Sequence, residues 1–223
     1  MKVSFLIPAY NEAPTVGDVL AKVAQLELDA QLIVVDDGST DDTAAIAEAA
    51  GATVIRQANR GKGAAIRAAI PLIEGDIAVI QDADGEYDPK EVPALIEPIV
   101  SGHADVVFGS RLSGGRPQRV YLFWHLVGNR FLSLLTNVLY NTTLSDMETG
   151  YKAFRSDVIR ALDLREDRFG IEPEITAKVC KNGLRIYELP ISYYGRTHDE
   201  GAEAVPPGDL LALVVLFRVR LFG

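Results

Sequence analysis

The stretch Leu32-Ile33-Val34-Val35-Asp36-Asp37-Gly38-Ser39-Thr40-Asp41-Asp42 decides the fold. Four apolar residues without polar alternation read as a strand buried on both faces. An acidic turn follows, and then a helix start. Ser39 or Thr40 is expected to cap that helix, with Asp41 and Asp42 in its first turn. The same unit repeats outward. Val3–Ile7, Thr53–Ile55, Ile77–Ile80 and Val106–Phe108 read as buried strands, and Thr15–Leu28, Asp42–Ala50, Lys62–Ile73 and Lys90–Val100 as helices. Strands alternating with helices imply βαβ units. The expected class is α/β, a doubly wound, mostly parallel open sheet with helices on both faces.

The second half is less regular. Val120–Tyr140 reads as a helix apolar almost all round, which places it in a core or against lipid. Glu172–Asn182 reads as a helix ended by Gly183 at C′, and Leu184–Ile191 as a strand. Pro206-Pro207-Gly208 then breaks the chain before the apolar Leu210–Phe222. The domain reading is one unit over 1–200, followed by a C-terminal apolar segment, 201–223, that packs as a helix or lies at a membrane interface. The chain has 223 residues, enough for one core and little more.

Net charge is −9, which argues against nucleic acid as a general partner. Yet Val106–Ser145 holds no Asp or Glu and carries Arg111, Arg116, Arg119 and Arg130. An acid-free cationic stretch in an acidic protein reads as a surface for an anion or a membrane. Cys180 is the single cysteine. No internal disulfide is possible, which fits a reducing compartment, and Cys180 reads as a small core residue. No apolar run reaches the ~18–20 residues of a transmembrane helix, and the N-terminal run is too short for a signal peptide. The expectation is a cytoplasmic protein, soluble or peripheral on the cytoplasmic membrane face.

In open α/β sheets ligands bind beyond the carboxyl ends of the strands, and the unusual polar residues fall there. Strand one runs into Pro8-Ala9-Tyr10-Asn11-Glu12, strand two into Asp36-Asp37-Gly38-Ser39, and strand four into Gln81-Asp82-Ala83-Asp84-Gly85-Glu86. Asp82, Asp84 and Glu86 alternate along the chain, so their carboxylates can converge as hard ligands for Mg²⁺ or Mn²⁺. Gly61-Lys62-Gly63 opens a helix and offers an anion its N-terminus. It matches neither a P-loop nor a dinucleotide fingerprint. His103, His125 and His198 are far apart in sequence and read as structural, and Ser39 and Ser110 lack the glycine elbow of a hydrolase nucleophile.

These motifs together carry a resemblance. Ile7-Pro8-Ala9-Tyr10-Asn11-Glu12, Val35-Asp36-Asp37-Gly38-Ser39-Thr40-Asp41 and Asp82-Ala83-Asp84 resemble the family 2 glycosyltransferases of GT-A fold. Gly109-Ser110-Arg111, Asp146-Met147-Glu148-Thr149-Gly150-Tyr151-Lys152 and Tyr194-Gly195-Arg196-Thr197-His198 look like the dolichyl- or polyprenyl-phosphate sugar synthases. The resemblance implies that Pro8, Ala9, Tyr10, Glu12 and Asp37 hold the base and ribose of a nucleotide-diphosphate sugar. It implies that Asp82, with Ala83 beside it, contacts nucleotide or sugar, that Asp84 binds the metal helped by Glu86, and that Arg196 meets the donor diphosphate. Arg111 and Arg130 fall to the acceptor phosphate, and Asp146 to the reacting centre. Asp146, Asp82 and Arg111 are thus the catalytic expectation. Lys62 matches only loosely and is not assigned. Where many bacterial relatives place lysines after the Arg-Thr-His segment, this chain has Ala202-Glu203-Ala204, which puts weight on Arg196.

The implied reaction is inverting, metal-dependent transfer of a hexose from a donor of GDP-mannose or UDP-glucose type to a polyprenyl or dolichyl phosphate. The acceptor phosphate is largely ionised at neutral pH, its second pKa being about 6. Asp146 is therefore expected to orient the site rather than abstract a proton. The aromatic stretch around Phe123, Trp124 and Phe131, with Leu210–Phe222, is expected at a membrane surface, in a homodimer, or against a membrane-anchored partner. The alternatives are transfer to a non-lipid acceptor, a sugar-1-phosphate nucleotidyltransferase, and a non-catalytic nucleotide-sugar-binding partner. The second expects a glycine-rich, basic first loop that Pro8-Ala9-Tyr10-Asn11-Glu12 does not supply.

Overall fold

The computed structural model describes residues 1–120, 123–196 and 209–222. Seven strands form one sheet: β1 (Lys2–Ala9), β2 (Asp29–Asp36), β3 (Thr53–Arg56), β4 (Ile77–Ile80), β5 (Val106–Ser110), β6 (Lys152–Arg155) and β7 (Ile186–Pro190). Their order is β3-β2-β1-β4-β6-β5-β7. All pairs are parallel except those of β6, which runs antiparallel to β4 and β5.

The central strands bury both faces, as their unbroken apolar runs require. Val3, Phe5 and Ile7 enter one core with α1 (Val16–Ala24), α2 (Thr43–Ala49) and α4 (Val92–Val100). Leu6 enters the other, with Ile33 and Val35, against α3 (Lys62–Ala69), α6 (Ser156–Ala161) and α7 (Ile171–Lys181). Alternate residues of a strand point to opposite faces, so one run feeds two cores.

The helix starts differ from expectation in detail. Neither Ser39 nor Thr40 caps α2, because that helix begins only at Thr43. Asp41 Oδ1 accepts the Thr43 N–H at 3.0 Å instead, and Ser39 Oγ accepts the Asn11 N–H at 2.9 Å. The third helix stops at Ala69, where Pro71 sits in a 3₁₀ turn over Ile70–Leu72. Pro89–Glu91 is likewise a 3₁₀ turn ahead of α4. Gly183 takes φ +63° just past α7, the left-handed conformation that ends a helix.

Strand β6 and helix α6 were not foreseen. Lys152-Ala153-Phe154-Arg155 is four residues long, with a charge at each end, and carries no strand periodicity. Only its place between β4 and β5 makes it a strand. Because β6 runs antiparallel, its first residue meets the carboxyl ends of its neighbours: Lys152 pairs with Ile80 on β4 and with Phe108 on β5. The loop before it therefore joins the same rim as the three acidic turns.

A third, smaller core lies off the sheet. Leu132 of α5 (Phe123–Tyr140), Met147, Ala177 of α7, and Ala212, Val215, Leu216 and Val219 of α8 (Asp209–Phe222) pack together. Both α5 and α8 therefore have a packed face. Each also has an open one, since Phe123 and Trp124 are 66 % and 77 % exposed and Leu210, Val214, Phe217 and Phe222 also face outward. Among the described residues no helix is long and apolar enough to cross a membrane.

Candidate active site

The β1 and β2 turns are stitched to each other. Asn11 Oδ1 accepts the Thr40 N–H at 2.8 Å and Asp36 Oδ1 accepts the Ser39 N–H at 2.9 Å. Pro8 and Ala9 close β1, and the Tyr10 ring beyond them is open to solvent. Asp37 is buried and accepts from Gln57 Nε2 at 2.6 Å and from the N–H groups of Arg60 and Gly61 at 2.9 and 2.7 Å. It thereby fixes the loop that opens α3.

That anchoring places Lys62, the residue left unassigned from sequence, inside the site. Its Nζ lies 2.8 Å from Asp82 Oδ1 and 3.2 Å from Glu172 Oε1. Burial pulls the ammonium toward neutrality, but Asp82 and Glu172 outweigh it, and the pKa ends above the ordinary lysine value. Glu172 also pairs with Lys152, which is 0 % exposed. Burial raises the Glu172 carboxyl, the two lysines lower it more, and it is held below the usual carboxylate range. Gly150 lets the backbone close on this cluster, since a Cβ there would lie 2.6 Å from Asp82 Oδ2.

The N-terminus of α3 is not an open anion site. The Ala64 N–H donates to the Asp167 carbonyl at 2.9 Å. A Cβ on Gly63 would sit 2.3 Å from the Glu166 carbonyl oxygen. In an ordinary helix Gly→Ala gains about 1 kcal/mol. Here the obstacle is backbone, and overpacking of this kind costs ~1–3 kcal/mol. Gly63→Ala is therefore expected to lower stability in urea denaturation; a variant as stable as the parent would contradict the close approach.

Asp84 and Glu86 continue the rim beyond Asp82. Glu86 faces the segment after β7: its Oε2 accepts the Tyr193 hydroxyl at 2.8 Å and its Oε1 the Arg196 N–H at 2.7 Å. Each oxygen keeps a second lone pair. The Arg196 guanidinium makes a two-pronged pair with Glu12, at 2.6 and 3.0 Å, and lies 4.0 Å from Asp84 Oδ2. The residues expected to share one donor thus already meet. Burial, with Asp82 and Glu86 alongside, pushes the Asp84 carboxyl up to about 7. Clustered, desolvated carboxylate oxygens are the donor chemistry of Mg²⁺ or Mn²⁺, and a cation there would relieve their repulsion. Among the described residues no three of these side chains are grouped closely enough to hold a metal on their own, so an ion here would share the carboxylates, Asp84 first, with a ligand's own oxygens.

Asp146 and Arg111 form a second ion pair, next to Tyr193. Arg111 Nε and Nη2 donate to Asp146 at 2.7 and 2.8 Å, and the Arg111 N–H adds a third bond at 3.0 Å. Asp146 is 0 % exposed. Burial raises its pKa, Arg111 lowers it more, and the carboxyl stays ionised below the ordinary aspartate value. The Ser145 and Asp146 N–H groups rest on Glu188 of β7, at 3.0 and 3.1 Å from its Oε1. Tyr193 spreads beneath Arg111, its ring centre 5.4 Å from the guanidinium. Tyr87 stacks on Tyr151 at 5.1 Å.

The acid-free stretch does not form one cationic face. Arg116 lies 3.7 Å from Glu91, and Arg119 donates to the Gly195 carbonyl at 2.8 Å. Arg119 thus holds the segment after β7, and Glu91 in turn accepts the Ser192 N–H of that segment at 2.9 Å. Arg130 stands exposed on α5. Thr197, His198 and the stretch Ala202-Glu203-Ala204 lie outside the described residues. Sequence reasoning missed Lys62, Glu172, Lys152, Glu188 and Tyr193. For Lys62 the signal existed in the Gly61-Lys62-Gly63 helix opening, and Lys152 closes the Asp146–Lys152 motif; Glu172, Glu188 and Tyr193 come from segments with no motif of their own.

Residues 4–163 match the family described as Glycosyl transferase family 2. The chain belongs to glycosyl transferase family 2. It is 32% identical over 221 residues to Glycosyltransferase AglJ of Haloferax volcanii, spanning 98% of this chain and 72% of that one. It is equally 32% identical, over 187 residues, to a dolichyl-phosphate hexose transferase of the same organism, spanning 84% and 80%. Glucosyl-3-phosphoglycerate synthase from Mycobacterium tuberculosis, solved with Mn²⁺, uridine diphosphate and glucosyl-3-phosphoglycerate, superposes with a TM-score of 0.75 over 98% of this chain and 79% of that one, at 23% identity. The fold of this family 2 enzyme is GT-A, and its activity is that of a glycosyltransferase.

Proposed function

We propose that this glycosyltransferase moves a hexose, with inversion, from a nucleotide-diphosphate sugar to a polyprenyl or dolichyl phosphate with the aid of a divalent cation. The observation that carries the reading is the meeting of Arg196 with Glu12 and Asp84 on one rim. A guanidinium and a carboxylate ligand side by side suit a diphosphate and its cation. The dolichyl-phosphate hexose transferase relative supports the acceptor, as do the open apolar faces of α5 and α8, which suit an interfacial helix pair.

In this reading Tyr10, Ala9 and Pro8 flank the base, and Glu12 faces the ribose once Arg196 turns to the diphosphate. Asp37 acts by holding the loop that seats Lys62. Asp82, steadied by Lys62, faces the sugar or ribose. Asp84, helped by Glu86, would hold a divalent cation, which would supply Lewis-acid stabilisation of the departing diphosphate. Arg196 adds fixed positive charge there. Arg111, oriented by Asp146, presents its remaining N–H groups toward the acceptor phosphate. Both Asp146 oxygens already accept bonds from Arg111, so Asp146 acts as an orienting group.

The test is a transfer assay with Mg²⁺ or Mn²⁺, liposomes carrying a polyprenyl phosphate, and a panel of GDP- and UDP-sugars. A lipid-soluble sugar phosphate from one donor, made by protein that co-floats with the liposomes, is the expected result. Product formed only on a water-soluble acceptor, or pyrophosphate released from a nucleoside triphosphate, overturns the reading.

A further inference from the structure

We propose that Glu148 recognises the acceptor, its Oε1 hydrogen-bonding the acceptor's phosphate. The inference rests on the phosphate-monoester acceptor proposed above. Glu148 lies in the loop between Asp146 and β6. Its Oε1 is buried and, among the described residues, has no hydrogen-bond partner. A buried polar atom left unpaired costs ~1–3 kcal/mol, and a ligand that pairs it recovers that cost.

The charges around Glu148 decide which kind of ligand. Arg111 pairs with Asp146, Lys62 with Asp82 and Glu172, and Lys152 with Glu172. Each of these cations already has a carboxylate partner, and among the described residues none of them forms an ion pair with Glu148. Arg111 lies beyond β5, Asp146 precedes Glu148 in its loop, Lys152 opens β6 and Glu172 lies in α7; these are the groups whose charges act on it.

Burial first, and Glu172 second, push this carboxyl up to about 7. Among the described residues no three His, Cys, Asp or Glu side chains are grouped to hold a metal here. A neutral carboxyl with a free O–H needs an acceptor atom. The phosphate oxygens that Arg111 attracts supply one, and they in turn favour the protonated carboxyl. Acceptor binding and a proton on Glu148 are thus linked. Asp146, two residues earlier, cannot serve, because Arg111 keeps it ionised and occupied.

The experiment measures the acceptor KM against pH for the wild type, Glu148→Gln and Glu148→Ala in the liposome assay. The wild-type acceptor KM is expected to rise about tenfold per pH unit above about 7 as Glu148 loses its proton. Glu148→Gln, a neutral donor of the same shape, is expected to hold a low KM through that range. Glu148→Ala is expected to raise it at every pH, with the donor KM unchanged in both variants. Titration calorimetry in two buffers should show about one proton taken up on acceptor binding above pH about 7 in the wild type and none in Glu148→Gln. A Glu148→Gln profile parallel to the wild type, or equal losses toward donor and acceptor, overturns the assignment and leaves the transferase reading intact. Absence of any transfer from wild-type protein to a polyprenyl phosphate overturns both.

Discussion

Arg111→Met is expected to destabilise the protein by about 3–5 kcal/mol, the cost of leaving one member of a buried pair uncompensated. For a chain of this size that is a fall in Tm of roughly 6–20 °C. Asp146 is fully buried, and without Arg111 it keeps the Lys152 charge only at a distance. The sign with pH follows. In the wild type the folded pKa of Asp146 is depressed, so its contribution is complete above the unfolded value of about 4 and fades only as pH falls through the lower folded value. In Arg111→Met the folded pKa rises instead, and the deficit should shrink as pH drops from about 7 toward about 4. The double variant R111M/D146N removes the charge while retaining a carbonyl for the backbone N–H of residue 111, which now donates to Asp146 at 3.0 Å. It should recover most of the loss. Urea denaturation of the three proteins decides; a double variant as unstable as the single would show that packing, not charge, holds this part of the fold.

Asp84→Asn should reduce transfer by a factor on the order of 10²–10³, comparable to the loss of one preorganised electrostatic contact. The folded protein should not suffer, because the change removes one of three crowded carboxylates, Asp82, Asp84 and Glu86. Rate and stability therefore part company, which distinguishes a ligand from a structural residue. A cation-dependent ligand present at a hundred times its Kd stabilises by about 2.7 kcal/mol. That corresponds to a rise in Tm of roughly 5–10 °C, expected for wild-type protein with Mn²⁺ and the nucleoside diphosphate and absent in Asp84→Asn. A variant that transfers at the parental rate, or that keeps the full thermal response, removes Asp84 from the role of metal ligand.

The two halves of the chain differed in how much they disclosed. Each strand in the first half is a Val/Ile run flanked by turn chemistry, so the βαβ alternation and the rim carrying Asp37, Asp82 and Asp84 were legible residue by residue. Lys152-Ala153-Phe154-Arg155 was not, because a lysine that ends up 0 % exposed looks like a surface residue until its partner is known. That partner, Glu172, lies 20 positions away. Arg116 and Arg119 misled for the same reason: their charge was visible, and their partners Glu91 and the Gly195 carbonyl were not.

The sequence by itself determined the α/β class, the parallel strands, the acidic turns at their carboxyl ends and membership of family 2. All of these follow from local periodicity and short motifs, where neighbours in sequence are neighbours in space. Only the tertiary structure decided that β6 runs backwards between β4 and β5, carrying Asp146, Glu148 and Gly150 to the donor rim. It also decided that Lys62 serves Asp82, that Arg196 reaches Glu12, and that Glu148 has no ion-pair partner among the described residues. Those outcomes depend on which distant charges share a buried volume, and chain order does not encode that pairing locally.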